Sequence, residues 1–267
     1  MRLLNAVQAP PHWRTVDFIS DLHLQAAEPA TFDAWRTYLA NTACDALFIL
    51  GDLFEVWVGD DVLDAPVAVS AFPLACVQAL AAATQRFPVY FMCGNRDFLA
   101  GQQLLMRTGM QGLADPAVLT LGTERWLLSH GDALCLADTD YLRFRHEVRS
   151  PEWQADFLAQ PLTQRLAVAR QLRQNSDQRK GTQTQWADVD AQAANELLAN
   201  HQASHMVHGH THMPGTHRLE GGALRHVLSD WDAQSNPPRL QVFRWKAGEG
   251  NAPSHHQRIS TESASTA

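Results

Sequence analysis

The chain has 267 residues, 45% of them apolar and 18% charged, and a net charge of −7. That balance excludes a disordered chain, and it excludes a general nucleic-acid binder, which needs a positive field on phosphate. A chain this long buries roughly 75% of its unfolded surface, so no disulfide or structural metal is needed to hold it together. The four cysteines, Cys44, Cys76, Cys93 and Cys135, match no zinc or disulfide spacing and are expected as reduced thiols.

Residues 1–14 hold no apolar run of signal-peptide type, so a cytoplasmic location is expected. Thr15–Ser20 reads as a short buried strand and leads into Asp21-Leu22-His23. A helix is expected over Thr31–Leu39. Ala46–Leu50 reads as the next strand and leads into Gly51-Asp52. Ala65–Gln85 carries no charge over 21 residues, long enough to span a bilayer. Its prolines, its many alanines and its place between two strands favour a helix on a sheet, centred on Leu74–Thr84. Val89–Cys93 leads into Gly94-Asn95-Arg96-Asp97, and Trp126–Ser129 into His130-Gly131-Asp132.

Residues 141–200 break this rhythm and read as helical, with Pro151 and Pro161 at breaks or first turns. Within them, 141–180 hold eight Arg or Lys against four Asp or Glu, which points to a local anionic partner. Leu162, Leu166, Ala169 and Leu172 form an apolar stripe beside Arg165, Arg170 and Arg173. The strand Ser204–Val207 then leads into His208-Gly209-His210-Thr211-His212, and Leu224–Leu228 and Leu240–Trp245 read as closing strands. Residues 247–267 are expected to fray. The pattern is α/β in a single domain, 1–267, with a helical insertion over about 138–200.

Five polar clusters thus follow five strands, where ligands gather in such folds. They offer Asp21, His23, Asp52, Asn95, His130, His210 and His212. Oxygen and imidazole donors without thiolate suit Mn, Fe or Zn. The number is too large for one tetrahedral ion and suits two ions sharing a carboxylate, roughly 3.5–4 Å apart. His208 adjoins this set. Asp97 and Asp132 are expected to fix Asn95, Arg96 or His130, and Asp60 and Asp61 to cap a helix or orient a neighbour.

The order Asp-x-His, Gly-Asp, Gly-Asn, His, Gly-His-x-His resembles the calcineurin-like metallophosphoesterases. The longer runs Gly51–Asp61, Gly94–Leu99 and His130–Cys135 resemble the UDP-2,3-diacylglucosamine pyrophosphatases of lipid A biosynthesis within them. The likeness runs from about Val16 to Trp231. It implies a metallophosphoesterase sandwich with a helical cap. It implies Asp21, His23 and His212 on a first metal, Asn95, His130 and His210 on a second, and Asp52 bridging the two. It implies two Mn2+ per chain and cleavage of a diphosphate by water attack on phosphorus.

The resemblance also implies substrate contacts from Asn95, Arg96, His210, Asp138, Ser176, Lys180 and Gln183, with Asn95, Arg96 and His210 at the reacting phosphate. Many members of the superfamily have His where this chain has Arg96. Arg cannot give up its proton, so it is no general acid. It can neutralise a phosphate leaving group, which favours a diphosphate over a simple ester. Gln183 falls where some relatives have Lys, and Lys180 where some have Asn. Ala133 and Leu142 also depart from the common residues. The implied partners are an acylated UDP-glucosamine and the cytoplasmic face of the inner membrane, met peripherally by a monomer. No nucleic acid is implied.

Overall fold

The structure, a computed structural model, describes residues 3–182, 188–249 and 252–265. In chain order the elements begin with β1 (Leu4–Gln8), β2 (Thr15–Ile19), α1 (Pro29–Asn41), β3 (Ala46–Leu50), α2 (Val67–Thr84), β4 (Val89–Met92) and α3 (Gln102–Thr108). Next come β5 (Gln111–Leu121), β6 (Glu124–Leu128), α4 (Thr139–Val148), α5 (Pro151–Leu158), α6 (Leu162–Thr182) and α7 (Ala191–Asn200). The chain ends with β7 (His205–His208), β8 (Gly215–Arg218), β9 (Leu224–Val227), β10 (Gln241–Lys246), β11 (His255–Ser260) and α8 (Thr261–Ala264).

The strands form one mixed sheet in the order β11-β10-β2-β3-β4-β5-β6-β7-β9-β8, with β1 beside β5. β2, β3 and β4 pair in parallel. β5 turns the corner: its first residues pair with β4, and its last five pair antiparallel with β6. The sheet therefore curls onto itself. Phe18 of β2 stacks on Trp126 of β6 at 6.2 Å between ring centroids, although three strands separate them in the sheet. This is the expected sandwich, produced by one curled sheet.

β3 explains why the strands read as continuous apolar runs. Ala46, Phe48 and Leu50 point into the interior of the sandwich. Leu47 and Ile49 point out and are covered by Trp35 and Leu39 of α1 and Cys76 and Leu80 of α2. A strand buried on both faces has no polar alternation. α2 is long and apolar enough to cross a membrane by length and composition, the sole such helix among the described residues. It buries Cys76, Val77, Leu80 and Ala83 against this layer, as a helix on a sheet does. On the opposite layer, Ala194 and Leu198 of α7 cover Leu127 and Met206.

α4 to α7 lie between β6 and β7. Asp138 caps α4 by accepting from the Tyr141 amide at 3.0 Å, and Ser150 caps α5 with Pro151 in its first turn. Arg165 of α6 is 2% exposed. Its guanidinium bridges to both Asp61 carboxylate oxygens and the Val58 carbonyl, pinning the helix to the core. Asp60 caps the start of α3, accepting from the amides of Gly101, Gln103 and Leu104.

The tail differs from expectation. β11 pairs with β10 over six residues, and Ala264 of α8 is buried. The polar sequence of residues 255–260 hid an edge strand, which needs few apolar residues because one side faces solvent. The amino-terminal β1, paired with β5, was also not expected.

Candidate metal centre and active site

All seven expected ligands converge above the carboxyl ends of the strands. His23 Nε2 lies 3.3 Å from His212 Nε2, and Asp21 Oδ1 lies 3.4 Å from that His212 nitrogen. Beside this trio, Asn95 Oδ1 sits between His130 Nε2 at 3.0 Å and His210 Nδ1 at 2.9 Å. Asp52 faces both groups: Oδ2 is 3.9 Å from His23, and Oδ1 is 3.7 Å from His130. Each of the triads Asp21, His23, His212 and Asp21, Asp52, His130 has donor atoms close enough to share one ion.

The backbone is bent hard to make this happen. Asp21, His23, Asp52, His210 and His212 all have φ between 49° and 67°. A non-glycine residue there costs of order 1 kcal/mol or more, and such strain persists where function holds it. Glycines allow the close approach. A Cβ on Gly94 would fall on the Asp52 carboxylate, and one on Gly209 on that of Asp21.

Neighbours fix the donors. His130 Nδ1 lies 2.9 Å from the Leu50 carbonyl and donates to it, leaving the Nε2 lone pair facing Asn95 and Asp52. The Arg96 amide donates to Asp52 Oδ1 at 2.8 Å, and the His210 amide to Asp21 Oδ2 at 2.9 Å. Asp97 accepts from the Gly94 amide at 2.7 Å and the Leu53 amide at 2.8 Å, locking the Gly-Asn and Gly-Asp loops together. Asp132 instead reaches outward, accepting from Tyr141 Oη at 2.6 Å and Arg145 Nε at 2.8 Å. It ties α4 to the site rather than holding His130 directly.

The electrostatics are those of a cation site. Burial opposes protonation of His130, but Asp52, Asp132 and Asp21 outweigh it and push its pKa up to about 9. Burial, then the charge of His130, holds His210 down to about 4. Burial opposes ionisation of Asp21, yet its hydrogen bond to His212 and the surrounding imidazoles keep it well below the usual carboxylate range. Without metal, this carboxylate field draws protons onto a buried imidazole. Two carboxylates, one amide oxygen and four imidazoles, with no thiolate, suit divalent first-row metals. His208 is not part of the set; its Nδ1 turns to the Gly209 carbonyl at 2.8 Å, and burial lowers it to about 4.

A cavity of about 940 Å³ opens over the donors. Its lining includes the polar residues His23, Asp52, Asn95, His210 and His212, the apolar Phe98, Trp153, Phe157 and Leu172, and also Arg96 and Asp138. The Nε of Arg96 has no hydrogen-bond partner among the described residues. Ser176 and Lys180 lie on α6 where side chains are not described, and Gln183 lies outside the described residues. Sequence reasoning missed Glu55 and Arg173. Glu55 Oε2 is 3.0 Å from His23 Nδ1, and its Oε1 is 2.6 Å from Arg173 Nε. A carboxylate three residues past Asp52 was the available signal. Asp230, 3.8 Å from His212 Nδ1, was missed as well.

A curled α/β sandwich with seven oxygen and imidazole donors at its strand ends defines a phosphoesterase, and residues 14–214 match the family model described as calcineurin-like phosphoesterase. The chain is 45% identical to the UDP-2,3-diacylglucosamine hydrolase of Chromobacterium violaceum, over 81% of this chain and 90% of that protein. It is 40% identical to that of Stenotrophomonas maltophilia, over 86% and 96%, and 41% identical to that of Xanthomonas axonopodis pv. citri, over 85% and 96%. The chain belongs to the UDP-2,3-diacylglucosamine hydrolase family of calcineurin-like phosphoesterases.

Proposed function

We propose that this protein hydrolyses the diphosphate of UDP-2,3-diacylglucosamine to 2,3-diacylglucosamine 1-phosphate and UMP, a step of lipid A biosynthesis. The observation that carries the reading is one cavity lined both by the clustered oxygen and imidazole donors and by apolar side chains of the helical insertion. A diphosphate fits the first and acyl chains the second. Asp21, His23, Asp52 and His212 would hold one divalent ion, and Asp52, Asn95, His130 and His210 the other; manganese is the proposed metal. When bound, the pair supplies a nucleophilic water at neutral pH and charge neutralisation at phosphorus.

The chain's own residues do the rest. Asp52 presents one carboxylate oxygen to each half of the site, so it sets the spacing between them. The side-chain oxygen of Asn95 is held between the imidazoles of His130 and His210, which fixes its orientation in the cluster. Arg96 grips the phosphate that leaves, whose charge rather than whose proton demand must be met. Asp97 keeps Asn95 and Asp52 in register through their loop amides. Asp138, Ser176, Lys180 and Gln183 are proposed sugar and diphosphate contacts.

The α4–α6 segment is the proposed cap, and the enzyme is proposed to work as a monomer on the cytoplasmic face of the inner membrane. Phe144, Leu158, Val168 and Leu172 are exposed there, in the segment that also carries the basic excess. Exposed apolar groups beside arginines favour peripheral contact with an anionic leaflet. The deciding experiment compares hydrolysis of UDP-diacylglucosamine with its unacylated analogue, in manganese. Equal rates on both would remove the acylated substrate from this reading. A rate unaffected by chelation would remove the metal pair.

A further inference from the structure

The two ends of the curled sheet meet without pairing as strands. β11 is one edge and β8 the other. Arg258 of β11 crosses the seam, donating to the carbonyls of Gly215 at 2.6 Å and Val227 at 2.8 Å. Beside this crossing three imidazoles converge from three strands: His205 on β7, His226 on β9 and His256 on β11. One nitrogen of each lies within 4.8 Å of the other two. His226 is fully buried, and the other two are half-buried. None lines the catalytic cavity. His205 opens β7, about 10 Å along the strand from His208 at its other end.

We propose that His205, His226 and His256 form a site for Zn2+ or a similar borderline divalent ion, which staples the tail strand across the seam of the sandwich. His205 Nδ1 and His226 Nε2 are 3.1 Å apart. Two imidazoles on a tetrahedral zinc, with Zn–N of about 2.0–2.1 Å, have their nitrogens roughly 3.3 Å apart. The His256 nitrogen has to close by at most about 1.5 Å to reach that spacing, and it rides a half-buried ring on an edge strand. His226 Nδ1 lies 3.1 Å from Thr216 Oγ1, so its Nε2 is the inward nitrogen. Such an outer partner fixes the ring of a ligating histidine. The fourth position falls to water.

Protonation does not compete. Burial first, then mutual repulsion, keeps His226 well below the usual histidine range, and burial also lowers His205 and His256. All three lone pairs are therefore available at neutral pH. Charged neighbours bear on the site in opposite senses. Glu124 acts on His205 and His256 in favour of a cation, and Arg258 acts on His226 and His256 against it. The rings also stack on aromatic neighbours, His205 on Trp126 at 4.1 Å and His226 beside Phe243 at 4.8 Å. Packing alone is thus the competing account of the cluster.

The test uses the full-length chain, stripped with chelator, loaded with zinc alone, passed over a desalting column and assayed for bound metal. His205→Gln and His256→Gln should each hold one equivalent less than the parent while keeping phosphoesterase turnover. His255→Gln, on the neighbouring exposed residue, should hold as much as the parent. In the parent, zinc at roughly ten times its Kd should slow amide exchange over residues 255–260 about tenfold, through its linkage to opening of the strand. Both histidine variants should lose that protection. Equal zinc in parent and variants would overturn the site and leave an aromatic stack. So would exchange in the parent that zinc does not slow.

Discussion

The strand-end cluster and the helical insertion face each other across one cavity, and they are built in opposite ways. In the cluster, Asp21, Asp52 and His130 are at most 2% exposed and every donor is fixed by a backbone amide, a carbonyl or another donor. In the insertion, Phe144, Leu158 and Leu172 stand open to solvent, while Phe157, Leu162 and Leu166 pack on the core and ionic tethers help fix the helices: Arg165 to Asp61, Arg145 to Asp132, Arg173 to Glu55. Chemistry needs donors held within a fraction of an ångström, which a sheet supplies. The proposed recognition of a flexible, two-chained lipid would be served by helices whose apolar side chains can adapt. Glu55 joins the two regions, since it touches His23 with one oxygen and Arg173 of α6 with the other.

The largest effect belongs to the rigid side. Asp52→Ala removes a carboxylate that turns one oxygen to each half of the site. Turnover is expected to fall by about 1000-fold or more, with loss of bound metal measured on the same sample. Near-normal turnover in that variant would break the contrast at its root. On the adaptable side, Leu172→Glu combined with Phe144→Glu should cost acylated substrate about 100-fold in kcat/KM. That corresponds to losing contact with about three methylenes at roughly 0.8 kcal/mol each. A small soluble phosphodiester should be cleaved as before; a parallel loss on both substrates would mean that the helices shape the catalytic end too.

Arg96→His tests the wall between the regions. One charged hydrogen bond is worth about 1.5–3 kcal/mol, so diphosphate hydrolysis should drop roughly 10- to 100-fold at unchanged metal content. Metal loss with normal turnover per occupied site would reassign Arg96 to the cluster. The smallest effect concerns the insertion's return to the sheet, where Arg225 donates two hydrogen bonds to Asp188, at 2.8 and 2.9 Å. Asp188 is partly exposed, so solvent screens the pair and Asp188→Asn should cost about 0.5–1 kcal/mol, a melting shift of about 1–4 °C. The hydrogen bond to Arg225 lowers the pKa of Asp188 below its ordinary value. Its contribution is therefore complete above the unfolded pKa and is lost as pH falls through the lower folded one. The gap in melting temperature between parent and variant should close in strong acid and persist at neutral pH.

The rigid region was legible in sequence because its signals are local. Five apolar runs buried on both faces each end in a ligand-bearing turn, and Ala46–Leu50 has the strand bounds expected of it. The adaptable region was legible in outline: helices between two core strands, with prolines in or just before first turns. Its tethers were not, because Arg173 and Glu55 are 118 positions apart and nothing local relates them. β11 was hidden for a similar reason. Its residues show no apolar alternation, and its place comes from distant partners: pairing with β10, the Arg258 contacts, and the packing of Ile259 and His256. Asp132 misled in a smaller way: its position beside His130 suggested support for that ring, while its side chain turns to α4.

The left-handed backbone at five of the donors has a consequence for heredity as much as for chemistry. At His23 and His212, φ is 49° and 53°, a region that glycine enters freely and histidine does not. In the metal-free protein, replacing either by glycine relieves that strain, so the variant should fold about as well as its parent yet be inactive. Drift therefore erodes this centre without loss of folding, and only selection for turnover holds histidine in place. Among natural variants of this chain, glycine or asparagine at these positions would mark a copy released from catalysis while still folding well.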